Sequence, residues 1–212
     1  MEERVERHVL LRLIKALNEE EELQTIAQII SADPVLTAKV LKFVNSAYFN
    51  LRRTISSVED AIAYLGYKKL KEVAFAVLVS SLLTEKSKEE IEGVLTFAYL
   101  MKLTAKRHLP ELSEEAFMVG VLYPVYTESP EEVVKILKEA GVSKTVIEGL
   151  TEEKSPLGIL RNFALKLLPY CIKLNRGEIE DIPVKTTKFK KTFLTKVCLD
   201  ATYEAEKIVK LL

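Results

Sequence analysis

The chain is expected to be all-α, built as two tightly packed helical lobes. Three observations predict this. Apolar residues recur at three- and four-residue intervals almost throughout. No run alternates apolar and polar residues for long enough to read as a strand. Helix start and stop signals punctuate the chain closely, while glycine and proline number only seven each in 212 residues, too few for many long loops.

Val5, Val9, Leu13 and Leu17 fall on one face of a first helix, which the acidic run from Asn18 to Glu22 ends. Contiguous acids point around a helix end, so Glu19 to Glu22 read as a solvated face. Leu23, Ile26, Ala27 and Ile30 mark a short second helix. Asp33-Pro34 starts a third: the aspartate caps orphan amides, and the proline sits where no donor is needed. Leu36, Val40, Leu41 and Val44 line its buried face. A connector from Tyr48 to Thr54 exposes Arg52 and Arg53. The next helix starts at Ser56, paired with Glu59, or at Ser57, paired with Asp60; the sequence leaves both open. Val58, Ala61, Ile62 and Leu65 form its stripe, and Gly66 its left-handed C-cap. Tyr67 to Leu83 reads as a long, mostly apolar helix central to the core.

The second half continues the pattern. Ser87 to Glu90 caps a long helix that runs to His108, with Pro110 just beyond. Ser113 opens a helix that Pro124 should end or kink. Ser129-Pro130-Glu131-Glu132 joins a cap, a first-position proline and a capping-box glutamate. Gly141 and Gly149 punctuate the next elements. Leu157 to Leu174 reads as a helix closed near Gly177, with Pro169 a kink point. Glu178 to Lys191 is the one long loop, and Phe193 to Leu212 a last amphipathic helix.

Composition narrows the function. Hydrophobic residues make up 48% and charged residues 29%, which is globular rather than disordered. Lys+Arg and Asp+Glu both total 31, so the net charge is zero and a dedicated nucleic-acid binder is not expected. The charged start Met1-Glu2-Glu3-Arg4 lacks a signal-peptide apolar region, and charges break every apolar stretch before a membrane span. A cytoplasmic protein with no membrane partner is the expectation. Cys171 and Cys198 both sit in apolar helical patterns and read as buried thiols in a reducing compartment; a disulfide between them is a question of geometry. Gly-rich phosphate loops, Cys-x-x-Cys pairs, nucleophile elbows and dinucleotide fingerprints are all missing.

One segment carries more. Asp33-Pro34, Leu36, Lys39, Leu41, Asn45-Ser46-Ala47, Phe49, Ile55, Ser57, Ala61-Ile62 and Leu65-Gly66 stand at the spacing of a known signature. The segment resembles the HDOD domain, an all-helical relative of the HD phosphohydrolases. The resemblance covers the first 85 or so residues, and Phe97 to Tyr126 is similar to the next region of the family. It implies a single HD-like helical bundle over 1–212, with the signature in an N-terminal lobe, 1–86, and a divergent lobe over 87–212. The same residues also have a plain physical reading. Asp33, Ser57 and Gly66 are caps, and Asn45 and Ser46 satisfy backbone groups where a helix ends.

Where catalytic relatives would place a His-Asp pair, this chain reads Tyr123-Pro124. A phenol and an imino acid cannot replace an imidazole and a carboxylate as metal ligands. The chain has only His8 and His108, neither followed by an aspartate, and His108 suits the dipole at a helix C-terminus. The expectation is a chain that is not an enzyme and holds no cofactor or metal. The resemblance implies a bacterial regulatory module acting through contacts with other signalling proteins, with a homodimer as a further guess. The alternative is a nucleotide or cyclic-dinucleotide sensor using the vacated cavity near Tyr99, Tyr123 and Tyr126. Basic clusters are the remaining candidates. Arg52, Arg53, Lys68, Lys69 and Lys71 flank two helices, the second too apolar to lie in a DNA groove. The loop with Lys185, Lys188, Phe189, Lys190 and Lys191 is the better anion site, against a plain solvated loop. Arg52, Arg53, Lys188 and Lys190 are the named anion contacts.

Overall fold

The computed structural model describes residues 5, 7–45, 54–66, 70, 77, 87–139, 141–183 and 189–210. Among these there are helices and no strand. The elements are α1 (Arg7–Asn18), α2 (Leu23–Ser31), α3 (Pro34–Val44), α4 (58–66), α5 (Lys88–His108), a 3₁₀ turn (Pro110–Leu112), α6 (Ser113–Glu128), α7 (Pro130–Glu139), α8 (Lys144–Thr151), α9 (Pro156–Asn175) and α10 (Lys191–Val209). The chain divides into two compact units. One comprises Met1–Glu85, Lys135–Val142 and Leu211–Leu212; the other comprises Lys86–Val134 and Ser143–Lys210. Helix α7 begins in the second and ends in the first.

In the first unit α2 packs on both α1 and α3. Its core holds Leu13, Leu17, Ile26, Ile30 and Leu36, all but fully buried. Each such side chain contributes roughly 1.5–3 kcal/mol of burial. On α3 the buried set is Leu36, Val40, Phe43 and Val44, so Phe43 takes the place expected of Leu41. Asp33 caps α3 by accepting from Leu36 N at 2.9 Å, with Pro34 at the first position. Ser57, not Ser56, caps α4: its Oγ accepts from Asp60 N at 3.0 Å. Val58 and Ala61 are buried there, whereas Ile62 and Leu65 are half-buried. Gly66 has a φ of +68°, a conformation in which a β-carbon would be strained. The long helix expected over Tyr67 to Leu83 lies outside the described residues, apart from Leu70 and Val77, both buried.

In the second unit α5 is the central element, packed against α6, α9 and α10, while α8 sits on α6 and α9. Ser87 and Glu90 form a reciprocal capping box at its start. The α5–α6 crossing is close because Gly120 meets the backbone of Ala98, where a β-carbon would stand 2.5 Å from Ala98 Cα. Pro124 does not end α6, which runs a further turn to Glu128, and Pro169 likewise lies inside α9. One lost backbone bond costs less than the packing on both sides of the proline supplies. Gly149, expected as punctuation, is inside α8 and buried against Val119 and Leu157. Helix α9 closes near Gly177 as expected: Gly177 N donates to Leu174 O at 3.1 Å and Glu178 N to Lys173 O at 2.9 Å, a Schellman arrangement.

The cysteines correct the sequence reading. Cys171 on α9 and Cys198 on α10 form a disulfide, with Cα atoms 4.8 Å apart and both residues fully buried. Packing of the two helices brings their side chains within bonding reach, and a separation of 27 residues gives no local sign of it. Among the described residues no helix is long and apolar enough to cross a membrane.

Candidate functional site

The signature region is organised by Asn45, the C-cap of α3. Its Nδ2 donates to Leu41 O at 2.9 Å and to Ile55 O at 2.7 Å, while its Oδ1 accepts from Ile55 N at 2.7 Å. The amide thus imitates a strand partner for Ile55, which is buried, and ties the end of α3 to the approach to α4. Only Asn offers a donor and an acceptor on one short planar group at this distance. Asn45→Ala would orphan the buried Ile55 amide and carbonyl, and is expected to cost about 2–3 kcal/mol. Urea unfolding followed by circular dichroism measures this. A loss below about 0.5 kcal/mol would mean that water replaces the clamp.

Tyr123, read from the sequence as standing where catalytic relatives carry a His-Asp pair, lies in an aromatic–guanidinium junction in the second unit. Tyr123 stands 6.1 Å from Phe97 and 6.2 Å from Tyr126, the latter pair near-parallel at 30°. The guanidinium of Arg161 lies 4.9 Å from the Tyr123 ring centroid, a cation–π contact. Arg161 is 4% exposed. Its Nη1 donates to Gly149 O at 2.7 Å and to Leu150 O, the last-turn carbonyls of α8. Longer contacts reach Asn162 Oδ1 from Nε and Nη2, at 3.4 and 3.3 Å. The positive charge is therefore met by the negative end of a helix and a ring face rather than by a carboxylate. Ser155 caps α9 by accepting from Gly158 N at 3.0 Å and donates to Glu152 O at 2.9 Å. Gly158 is required there, since a β-carbon would fall 1.8 Å from Glu152 O.

Of the three tyrosines taken together in the sequence, Tyr123 and Tyr126 meet, while Tyr99 makes its edge contact with Phe117 at 5.0 Å. Ser46, Ala47, Phe49, Arg52, Arg53 and Lys188 lie outside the described residues. Lys190 borders a pocket with Arg107, His108, Phe189, Phe193 and Lys196. Among the described residues no three His, Cys, Asp or Glu side chains gather as a metal site would require. The junction at Tyr123 does not suit a divalent ion, since its polar groups are a guanidinium and a phenol. Arg161 is the residue missed by sequence reasoning. Its signal was an arginine at helical spacing with Leu157, Ala164, Leu168 and Cys171, on a stripe where a charged side chain is buried only if partnered.

The HDOD domain model matches residues 6–150. The chain belongs to the HDOD family. A cyclic di-GMP phosphodiesterase, CdgJ of Vibrio cholerae, is 26% identical over 136 residues, covering 64% of this chain and 32% of that protein. YuxH of Bacillus subtilis, uncharacterised, is 25% identical over 142 residues, covering 65% of this chain and 35% of its own. The chain thus spans about a third of the curated relatives it matches. Among solved structures, a proposed phosphohydrolase of Shewanella amazonensis superposes with a TM-score of 0.65 at 17% identity, over 99% of this chain and 94% of the other. An HDOD domain protein of unknown function from Geobacter sulfurreducens gives 0.55 at 19% identity, over 96% and 89%. These likenesses establish the HDOD-like all-helical fold.

One expectation is corrected by the comparison. The chain was expected not to be an enzyme, on the ground of Tyr123-Pro124. CdgJ, similar to this chain over 136 residues, is a cyclic di-GMP phosphodiesterase, so that expectation does not stand. Tyr123-Pro124 bears on one ligand set at one position, which is a narrower matter than turnover by the chain.

Proposed function

We propose that this chain is a regulatory HDOD module of cyclic di-GMP signalling that works by contact with other signalling proteins. The observation that supports it most is the match to the family over 6–150 together with the likeness to a cyclic di-GMP phosphodiesterase of which it covers a third. The surface is compatible with contact. Leu199 and Tyr203 are one turn apart on α10 and 45% and 62% exposed, a spacing suited to anchoring in a partner's groove.

Producing the chain in a bacterial host and measuring cyclic di-GMP in nucleotide extracts by mass spectrometry tests the reading. The expected result is a pool changed on the order of twofold or more, cancelled by Leu199→Glu with Tyr203→Glu, since charges at a buried anchor cost several kcal/mol. An unchanged pool with abundant folded protein would sink the signalling reading. A double variant that shifts the pool as much as the parent would sink this contact surface.

A further inference from the structure

The pocket between the end of α5 and the start of α10 has a composition that the family match does not account for. Phe189, Lys190, Phe193 and Lys196 all lie beyond residue 150, where that match ends. The cavity measures about 450 Å³, within the range of small-molecule sites. Among the described residues, three fixed cations line it, Arg107, Lys190 and Lys196, together with His108, and no acidic residue does. Lys191, the next basic residue, is instead neutralised by Asp181 at 2.5 Å.

The walls are aromatic and ordered by one another. Phe189 stacks on Phe163 with centroids 4.8 Å apart and 28° between planes, and on Phe193 at 5.8 Å and 19°. His108 meets Phe189 edge-on at 4.8 Å, and the Arg107 guanidinium lies over Phe193 at 4.7 Å. Both Phe189 and Phe193 are partly exposed rather than buried, so some ring surface is left beside the cations. Partly exposed ring edges beside three like charges, with no carboxylate in the described lining, suit one ligand chemistry. A planar base stacks on rings, and its phosphate answers the cations. An inorganic anion would use only the charges, and an apolar ligand only the rings.

We infer that this pocket binds a nucleoside phosphate. Three cations match the charge of one or two phosphates rather than a long nucleic-acid track, which agrees with the zero net charge of the chain. The inference stands on the pocket alone and does not rest on the signalling reading above.

Isothermal titration calorimetry on the full chain tests it, with GMP, AMP, cyclic di-GMP, guanosine, inorganic phosphate and a short single-stranded oligonucleotide as probes. A nucleotide is expected to bind on the order of tenfold or more tighter than guanosine or phosphate, with affinity falling as salt rises. Lys190→Glu with Lys196→Glu, both at exposed positions, should weaken nucleotides by on the order of tenfold or more. Phe189→Leu should weaken nucleotides and leave phosphate binding unchanged. Comparison of the three nucleotides identifies which the pocket takes. Four results would overturn the inference: no nucleotide binding at about 1 mM, the weak end of specific affinity; phosphate bound as tightly as nucleotide; a folded charge-reversed variant that binds like the parent; or the oligonucleotide preferred over every nucleotide.

Discussion

Replacing Arg161 by leucine is expected to lower the unfolding free energy by roughly 3–5 kcal/mol, a large share of the stability of an ordinary domain. The side chain is buried and gives two charge-assisted bonds to Gly149 O and Leu150 O. Leucine fills part of the volume but leaves both carbonyls facing a dry site. It also removes the cation from the Tyr123 ring, the contact that occupies the face of the junction. Lysine would restore the charge but not the fork, and is expected to recover less than half of the loss. For a chain of this length the shift in melting temperature is about 2–4 °C per kcal/mol, so the leucine variant should melt about 10 °C lower. Urea titration with circular dichroism decides it. A change under about 1 kcal/mol would mean that water enters and satisfies the end of α8, and that the junction is not what holds α8 to α9.

The second large effect belongs to the bond between Cys171 and Cys198. Closing a loop over a sequence separation of 27 removes chain entropy from the unfolded state worth about 3.5 kcal/mol. The oxidised chain should therefore resist denaturant more than the same chain unfolded and refolded with reductant. Cys171→Ala with Cys198→Ala should fall at or somewhat below the reduced chain, because alanine removes the cross-link and also leaves a small cavity where the two buried sulfurs packed. Both sulfurs are fully buried, so reduction under native conditions should be slow and should accelerate as the chain opens. Titration of free thiols in denaturant reads the starting state directly. Two titratable thiols in protein purified without reductant, or equal denaturation midpoints with and without reductant, would show that the pair does not cross-link the chain.

The fold was largely legible because its signals are local. Asp33 reaches Leu36, Ser87 reaches Glu90, and Gly177 lets the last carbonyls of α9 find donors, all within about five residues. Side chains that act over one turn leave the same trace in any sequence that folds this way. The two internal prolines mark the complementary limit. A broken backbone bond is a local fact, but whether a helix continues past it depends on what packs against both flanks. The candidate site was legible only in pieces. Tyr123 was singled out, as were His108, Phe189 and Lys190, each for its own chemistry. The neighbour of each was not visible.

The sequence by itself determined the all-helical class, most helix boundaries and the family signature, since each depends on residue type and short spacing. Tertiary structure alone decided that Arg161 reaches the end of α8, that Gly120 and Gly158 sit where a β-carbon would strike backbone, and that Cys171 meets Cys198. It also brought Arg107 and His108 to Phe189 and Phe193 across more than eighty residues of chain. These contacts arise from how whole helices cross, and the crossing is set by the sum of many small packing terms that no single stretch of sequence contains.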